Sequence, residues 1–371
     1  MRSPRKTRHL APIASVMLVA GVVLVVALIP SGALAASGLR VRGNHLVYGR
    51  GQGRIVQLRG VNRSGTESGC QQGWGVFSSS TPMRPDSAWM IRAMRSWDIN
   101  VVRVPLNEDC WLGVNVGRHL SGPAYRRRIE RYVHKLNRAG LFVILDLHWT
   151  APGHREATGQ MPMPDADHSP ALWRSVARAF KSDHDLIFDL FNEPFGIHWS
   201  CWLNGCSVYS YNGFPAYRAA GMQQLVNAVR STGATQPLMV GGNVASLDLS
   251  QWVADEPKDP RHQLVASEHS YGVQQPCHAA CLTAVAGTAQ RVPVVMGELG
   301  ETDCKSGYVR RIMRFDDQHG ISYLGWAWDS IASGWSCFGG PSLIKNYAGS
   351  PTRFGAGFRS HFRARGVPIR P

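Results

Sequence analysis

Eight short β-branched runs, each followed by a segment of helical period, dominate the chain from residue 55 onward. The runs span 55–62, 101–106, 142–148, 186–193, 238–242, 264–271, 292–298 and 322–329. The helical segments read over 85–97, 125–140, 169–181, 215–233, 250–254, 281–289, 308–320 and 350–366. Strict alternation of this kind predicts parallel strands, because each intervening helix carries the chain back to start the next strand in the same direction. The runs are nearly continuous in apolar residues, as strands covered on both faces must be. Eight repeats match the closed (β/α)8, or TIM, barrel in number and length. An open doubly wound sheet is the alternative, but it would advertise a phosphate-binding turn, and neither GxGxxG nor GxxxxGK followed by Ser or Thr occurs. At 371 residues one large domain or two ordinary ones would be allowed, and the repeats assign 36–371 to a single α/β domain.

What precedes the repeats differs in kind. A basic leader, MRSPRKTRH, is followed by the apolar run LAPIASVMLVAGVVLVVALIP and by ALAAS, a small-residue cleavage site after Ala35. Residues 1–35 therefore read as a signal peptide and the mature chain as secreted. The apolar run approaches the roughly 20 residues that span a bilayer, so the alternative is an uncleaved membrane anchor through residues 10–30 with the domain outside. All eight cysteines, Cys70, Cys110, Cys201, Cys206, Cys277, Cys281, Cys304 and Cys337, lie beyond this signal. An even count without CxxC spacing in an exported chain points to disulfides rather than zinc. Proximity suggests Cys201 with Cys206 and Cys277 with Cys281, leaving the other four to pair over longer distances.

The formal charge is +15, and removal of residues 1–35 takes away Arg2, Arg5, Lys6 and Arg8 to leave +11. The basic residues are scattered over amphipathic segments such as YRRRIERYVHKLNRAG, the pattern of a solvated surface. No nucleic-acid partner is expected.

In a (β/α)8 barrel the loops that follow strands gather at one face, where active sites sit. The long connections, 63–84, 107–124, 149–168, 194–214 and 330–349, all follow strands. The last inward-pointing residues of the strands are then Arg103, His148, Asn192 with Glu193, His269 with Tyr271, Glu298, and Trp326 or Trp328. Two of them are carboxylates 105 residues apart that barrel closure can oppose across the mouth. Glycoside hydrolysis needs such a pair, one acid to protonate the leaving oxygen and one carboxylate to attack the anomeric carbon. Arg103 and Tyr271 suit the attacking carboxylate, Asn192 a sugar 2-hydroxyl, and His148 and His269 other hydroxyls or the acid. An indole at Trp326, favoured over Trp328, would offer a floor for a sugar ring. Trp74, Trp111, Trp149, Trp199, Trp202 and Trp335 fall in the loops as candidates for further subsites, whereas Trp89 and Trp173 on helices are assigned to packing.

Taken singly, a strand-end glutamate is usually a solvated or salt-bridged group and a buried histidine a satisfied core residue. The joint pattern argues for a site. Serine-hydrolase GxSxG and zinc-protease HExxH are both absent, and His148 with His154 brackets a loop without a matching acid cluster. No metal or cofactor is expected, and the protein is expected to be a monomer.

FNEP after a strand, GE ending a later strand and RGVN near the start of the mature chain together resemble glycoside hydrolase family 5, the family of many secreted cellulases and mannanases. The likeness runs through LRGVNRSGTESGCQQGWG, NVVRVPLNEDCWLG, VILDLHWTAPG, DLFNEPF, SEHSYG, VVMGELGETDC and SYLGWAWD. It implies a (β/α)8 barrel and a retaining two-step mechanism, with Glu193 as acid/base and Glu298 as nucleophile. It also implies site roles for Arg103, His148, His269 and Tyr271. Glu268, beside His269, is expected to face away from the barrel interior and to be structural. The expected substrate is a β-linked polysaccharide, foremost a β-1,4-glucan, with β-mannan or another β-glucan as alternative. A non-catalytic carbohydrate- or envelope-binding protein on the same barrel is the reading from another class.

Overall fold

The runs close on themselves. In a computed structural model, β1 (Arg59–Asn62), β2 (Val101–Asn107), β3 (Phe142–Trp149), β4 (Leu186–Asp189), β5 (Leu238–Gly241), β6 (Leu264–Tyr271), β7 (Val294–Gly300) and β8 (Ser322–Gly325) form a closed parallel barrel in chain order. Tyr323 of β8 pairs with Arg59 of β1 to complete it. The structure describes residues 38–77, 86–117, 120–272, 274–330, 336 and 340–366, together with Met1 and Pro4. Residues 10–30, the expected export or anchor segment, lie outside them. Among the described residues no helix is long and apolar enough to cross a membrane.

The outer ring holds α1 (Ala88–Arg95), α2 (Pro123–Arg138), α3 (Ser169–Ala179), α4 (Met222–Arg230), α5 (Ala279–Ala289), α6 (Gly307–His319) and α7 (Arg353–Arg365). Each follows a barrel strand. The helix expected over 250–254 is instead a series of turns between β5 and β6. Prolines at 257 and 260 deny a helix starting there the donors it would need to continue, and Trp252 is buried without one. The segment expected as a helix from 215 begins helical structure only at Met222, because Tyr217–Arg218 pairs with Ser207–Val208 in a two-stranded ribbon.

The first expected strand also divides. Arg54–Ile55 joins Leu39–Arg42 and His45–Tyr48 in a separate antiparallel sheet. Leu39 and Leu46 of that sheet pack with Leu58, Val101, Ile144, Ile187, Met239, Val265, Val295 and Leu324, residues drawn from the beginnings of all eight strands. This inner cluster is the floor of the barrel lumen, plugged from its amino-terminal end. A second, larger apolar cluster fills the space between strands and helices, with Val102, Val143, Phe188, Val240, Ala266 and Met296 facing outward.

Side chains alternate along a strand, so a residue two places beyond a floor residue faces the lumen one tier higher. That step carries Val101 to Arg103, Ile144 to Asp146, Ile187 to Asp189 and Leu324 to Trp326. On β7 the rule is broken by a bulge: Glu268 pairs with Met296, but His269 pairs with Glu298, leaving Gly297 as an extra residue. Met296 faces outward, and unbroken alternation would send Glu298 the same way. The bulge turns Glu298 into the lumen. Glycine is required there, since a Cβ at position 297 would lie 2.7 Å from both His269 Nε2 and Ser267 Oγ.

Disulfides join Cys70 to Cys110, Cys201 to Cys206 and Cys277 to Cys281, the last two as sequence proximity suggested. Cys304 is disulfide-bonded as well, and Cys337 lies outside the described residues.

Candidate active site

Above the apolar floor, the lumen is organised around one cation. Arg103 is fully buried, and it lies on the third residue of β2 rather than at its tip, which continues to Asn107. Its Nε donates to Asp189 Oδ2 at 2.9 Å, Nη1 to Asn62 Oδ1 at 3.0 Å and Glu298 Oε1 at 2.7 Å, and Nη2 to Asn192 Oδ1 at 2.8 Å. The Asp146 carboxylate forms an ion pair with Nη2 at 3.0 Å. Burial opposes a charged guanidinium, but Asp146, Asp189 and Glu298 more than offset it, so the arginine holds its proton above even its ordinary range. Burial also pushes Asp189 up, to about 8, with Arg103 pulling it down and the Asp146 and Glu298 charges pushing further. Three carboxylates thus face one guanidinium.

Glu298 receives a second donor on its other oxygen, the Tyr271 hydroxyl at 2.6 Å. Burial and the neighbouring Glu298 and Glu193 carboxylates raise that phenol well above its usual range, so Tyr271 stays a donor. Glu193 stands at the end of β4, whose assigned pairing stops at Asp189 although Leu190 and Asn192 N–H groups still bond to Met239 and Leu147. Its backbone is left-handed, with φ +51°, and its side chain keeps 22 % exposure. Burial raises the Glu193 carboxyl to about 7 against the pull of His148 and Arg103. His269 Nδ1 lies 3.0 Å from Glu193 Oε1 and 3.8 Å from Glu298 Oε1. Burial first, aided by the positive Arg103 and His148, lowers the imidazole to about 4, so it faces both glutamates uncharged. One oxygen of each glutamate and one nitrogen of His269 all lie within 4.8 Å of one another.

His148 has the opposite character. Burial disfavours its charged form, yet Asp146, 2.6 Å from Nδ1, reverses the balance and raises it to about 9. Its ring stacks on Trp326 with centroids 5.4 Å apart and planes 8° from parallel. Trp326 remains partly exposed, whereas Trp328 is completely buried edge-on to Trp97. The strand therefore does not present both indoles to one side. The intervening Trp326–Ala327 peptide is cis.

All eight expected site residues, Arg103, His148, Asn192, Glu193, His269, Tyr271, Glu298 and Trp326, are brought to this one mouth. Asn62, Asp146 and Asp189 are there too and were not expected. A charged residue inside an apolar strand is the signal that could have found the two aspartates, in VILDLH and LIFDLF. The loop tryptophans divide. Trp111, Trp199 and Trp202 are buried packing residues, with Trp111 Nε1 donating to Ser175 Oγ. Trp74 is 60 % exposed, Trp149 is half-buried, and Trp335 lies outside the described residues. Of the two helical tryptophans assigned to packing, Trp173 is buried but Trp89 is 37 % exposed.

Among the described residues, two further groupings have metal-ligand spacing. In one, Glu268 approaches Cys277 and Cys281, whose sulfurs are spent on a disulfide. Glu268 itself faces outward into the layer between strands and helices, where burial and Asp316 hold it well above its usual range. The other joins Glu108, Asp109 and His168. There burial and the adjoining Asp165 push Glu108 well up, and its Oε2 accepts from the Ser169 hydroxyl at 2.6 Å.

A closed (β/α)8 barrel whose carboxyl-terminal mouth opposes two glutamates defines the class of barrel glycosidases. The family model described as cellulase, glycosyl hydrolase family 5, matches residues 52–331, and the chain belongs to that family. Endoglucanase 1 of Ruminococcus albus is 28 % identical over 226 residues, 57 % of this chain and 51 % of that protein. A mannan endo-1,4-β-mannosidase of Cellvibrio japonicus is 27 % identical over 332 residues, 86 % of this chain and 65 % of its own length. The chain thus spans between about half and two thirds of these relatives. A β-glucanase of Saccharophagus degradans, solved with cellotetraose, shares the fold with a TM-score of 0.65 at 19 % identity, over 89 % of this chain and 94 % of that one.

Proposed function

We propose that this protein is a retaining glycoside hydrolase that cleaves a β-linked polysaccharide, foremost an endo-acting β-1,4-glucanase. The observation that carries the reading is the approach of Glu193 and Glu298, whose nearest ligand atoms lie within 4.8 Å with His269 between. Retaining enzymes hold their carboxyl groups roughly 5 to 5.5 Å apart, whereas inverting ones leave about 6.5 to 9.5 Å for a water. In the first step Glu298 attacks the anomeric carbon as the bond to the leaving oxygen breaks, and the proton on Glu193 passes to that oxygen. In the second, Glu193 takes a proton from water, the water oxygen attacks the anomeric carbon, and Glu298 leaves as a carboxylate. Arg103 and Tyr271 supply donors to Glu298 in both steps. Asn192 suits the 2-hydroxyl, and the Trp326 face, backed by His148, suits a pyranose ring.

A mannan backbone is the second reading of the substrate, favoured by the match to a mannosidase over 86 % of this chain. Two glutamates opposed across His269 with oxygens within 4.8 Å, one of them raised to about 7 by burial, favour a catalyst over a non-catalytic glycan binder. We read 1–35 as the export leader and 36–371 as the catalytic domain, released outside the cell.

The test is reducing-sugar release by residues 36–371 from carboxymethylcellulose, mannan, xylan and laminarin, beside Glu193→Ala and Glu298→Ala. Loss of about 10⁴-fold is expected for Glu298→Ala. Equal release by that variant and the wild type would end the nucleophile assignment, and no release from any glycan would favour the binder. Because Glu193 must carry a proton for the first step, kcat/KM is expected to fall as pH rises through about 7.

A further inference from the structure

Three consecutive backbone carbonyls follow strand β4, those of Asn192, Glu193 and Pro194, and each is held from outside its own segment. The Gln160 side chain reaches in from the loop after β3, and its Nε2 donates to the carbonyls of Asn192 and of Glu193, the latter at 3.0 Å. The Ala245 N–H, in the turn after β5, donates to the Pro194 carbonyl at 2.8 Å. Gln160 Oε1 also accepts from Asn192 Nδ2 at 2.8 Å, which leaves Asn192 Oδ1 to face Arg103. One half-buried amide therefore fixes both a peptide bond and a side-chain orientation.

This segment needs an external hold. A left-handed backbone is unfavourable for a residue with a Cβ, and it persists where the surroundings over-determine it. Glu193, with φ +51°, is such a residue. The Ala245 contact is main-chain, so Gln160 is the member of this clamp that a substitution can remove.

We propose that Gln160 is a positioning residue for the acid/base glutamate: it holds the Asn192–Glu193 backbone so that the Glu193 carboxyl meets the leaving-group oxygen. The inference rests on the acid/base assignment made above. Gln160 acts through the backbone of Glu193, while Glu298 is held separately by Arg103 and Tyr271. Substrates whose leaving groups differ in basicity should then feel its loss unequally in the first step. Protonation matters for a basic leaving group such as a sugar hydroxyl and hardly at all for 2,4-dinitrophenolate.

The experiment compares wild type, Gln160→Met and Gln160→Asn on the polysaccharide that the wild type cleaves and on the 2,4-dinitrophenyl β-glycoside of its disaccharide, with melting temperature as the folding check. Methionine keeps the volume without the hydrogen bonds; asparagine keeps an amide too short to bridge both carbonyls and serves where methionine misfolds. A loss of about 10- to 100-fold in kcat/KM on the polysaccharide is expected, as for other misplacements of about 1 Å. Because Arg103 Nη2 still holds Asn192 Oδ1 in the variants, on the dinitrophenyl glycoside the first step is expected to stay within about threefold of wild type. Equal losses on both substrates, or none on either, would overturn the proposal. Glu193→Ala run in parallel separates the two claims, because its failure to show the same split would strike the acid/base assignment itself.

Discussion

Two tiers of the same lumen, one residue pair apart along the same strands, are held together by opposite means. The floor, from Leu58 through Ile144 and Ile187 to Leu324, is entirely apolar and sealed by Leu39 and Leu46. The tier above it places Asp146, Asp189 and Glu298 around Arg103, all of them buried. In the floor, packing is non-directional and any well-fitting aliphatic group serves. In the upper tier each group is held by named partners, and removing one strands the rest in a low-dielectric interior. The floor provides rigidity on which such a cluster can be kept, and the cluster provides direction, because each guanidinium nitrogen of Arg103 has its own acceptor.

That contrast can be attacked at three points of decreasing effect. Arg103→Met removes the cation that Asp146, Asp189 and Glu298 share and leaves these acids buried without it, so urea unfolding at neutral pH is expected to show a loss of about 3–5 kcal/mol together with loss of activity. A variant as stable as wild type would mean that the upper tier does not depend on its ion pairs. Gly297→Ala drives a methyl group into His269 and Ser267 at the bulge. About 1–3 kcal/mol of stability and roughly 10²-fold in kcat/KM are expected to go, since Glu298 cannot keep its aim. Unchanged activity there would show that the bulge is incidental. Ile144→Val, in the floor beneath Asp146, is expected to cost only about 0.5–1.5 kcal/mol with kcat unaltered. If it instead impaired turnover as Gly297→Ala does, the tiers would not be separable.

The barrel was legible because its evidence is repeated: eight apolar runs and the long loops after them agree with one another, so misplacing single boundaries did no harm. Most of the mouth was legible for a related reason, since polar groups at the ends of buried strands stand out. Asp146 and Asp189 are less legible because they lie below the strand tips, in a second polar layer set by alternation. Glu298 was reached by its position at a strand end, although strict alternation with Met296 would have turned it outward. The bulge that rescues it depends on pairing with β6, which a linear reading does not contain. The clamp by Gln160 left no mark at all, because a loop glutamine takes its partners from the folded path of the loop. The missing helix near Trp252 is a local lesson: an apolar pair in five residues suggested a helix, but the prolines that follow deny it length.

The described cysteines share one trait: none lies on a barrel strand. Cys70 to Cys110 fastens the loop after β1 to the loop after β2, and Cys201 to Cys206 and Cys277 to Cys281 each staple a single stretch beside the mouth. Wall and rim are therefore assembled under different environmental permissions, the wall wherever water drives apolar burial, the rim only where an oxidant is at hand. On the proposed function, a chain made in a reducing host is expected to keep its circular dichroism and any hydrolysis of short glycosides, while binding of long glycan chains weakens. The choice of expression compartment thus becomes a way to ask which part of the molecule chooses the substrate.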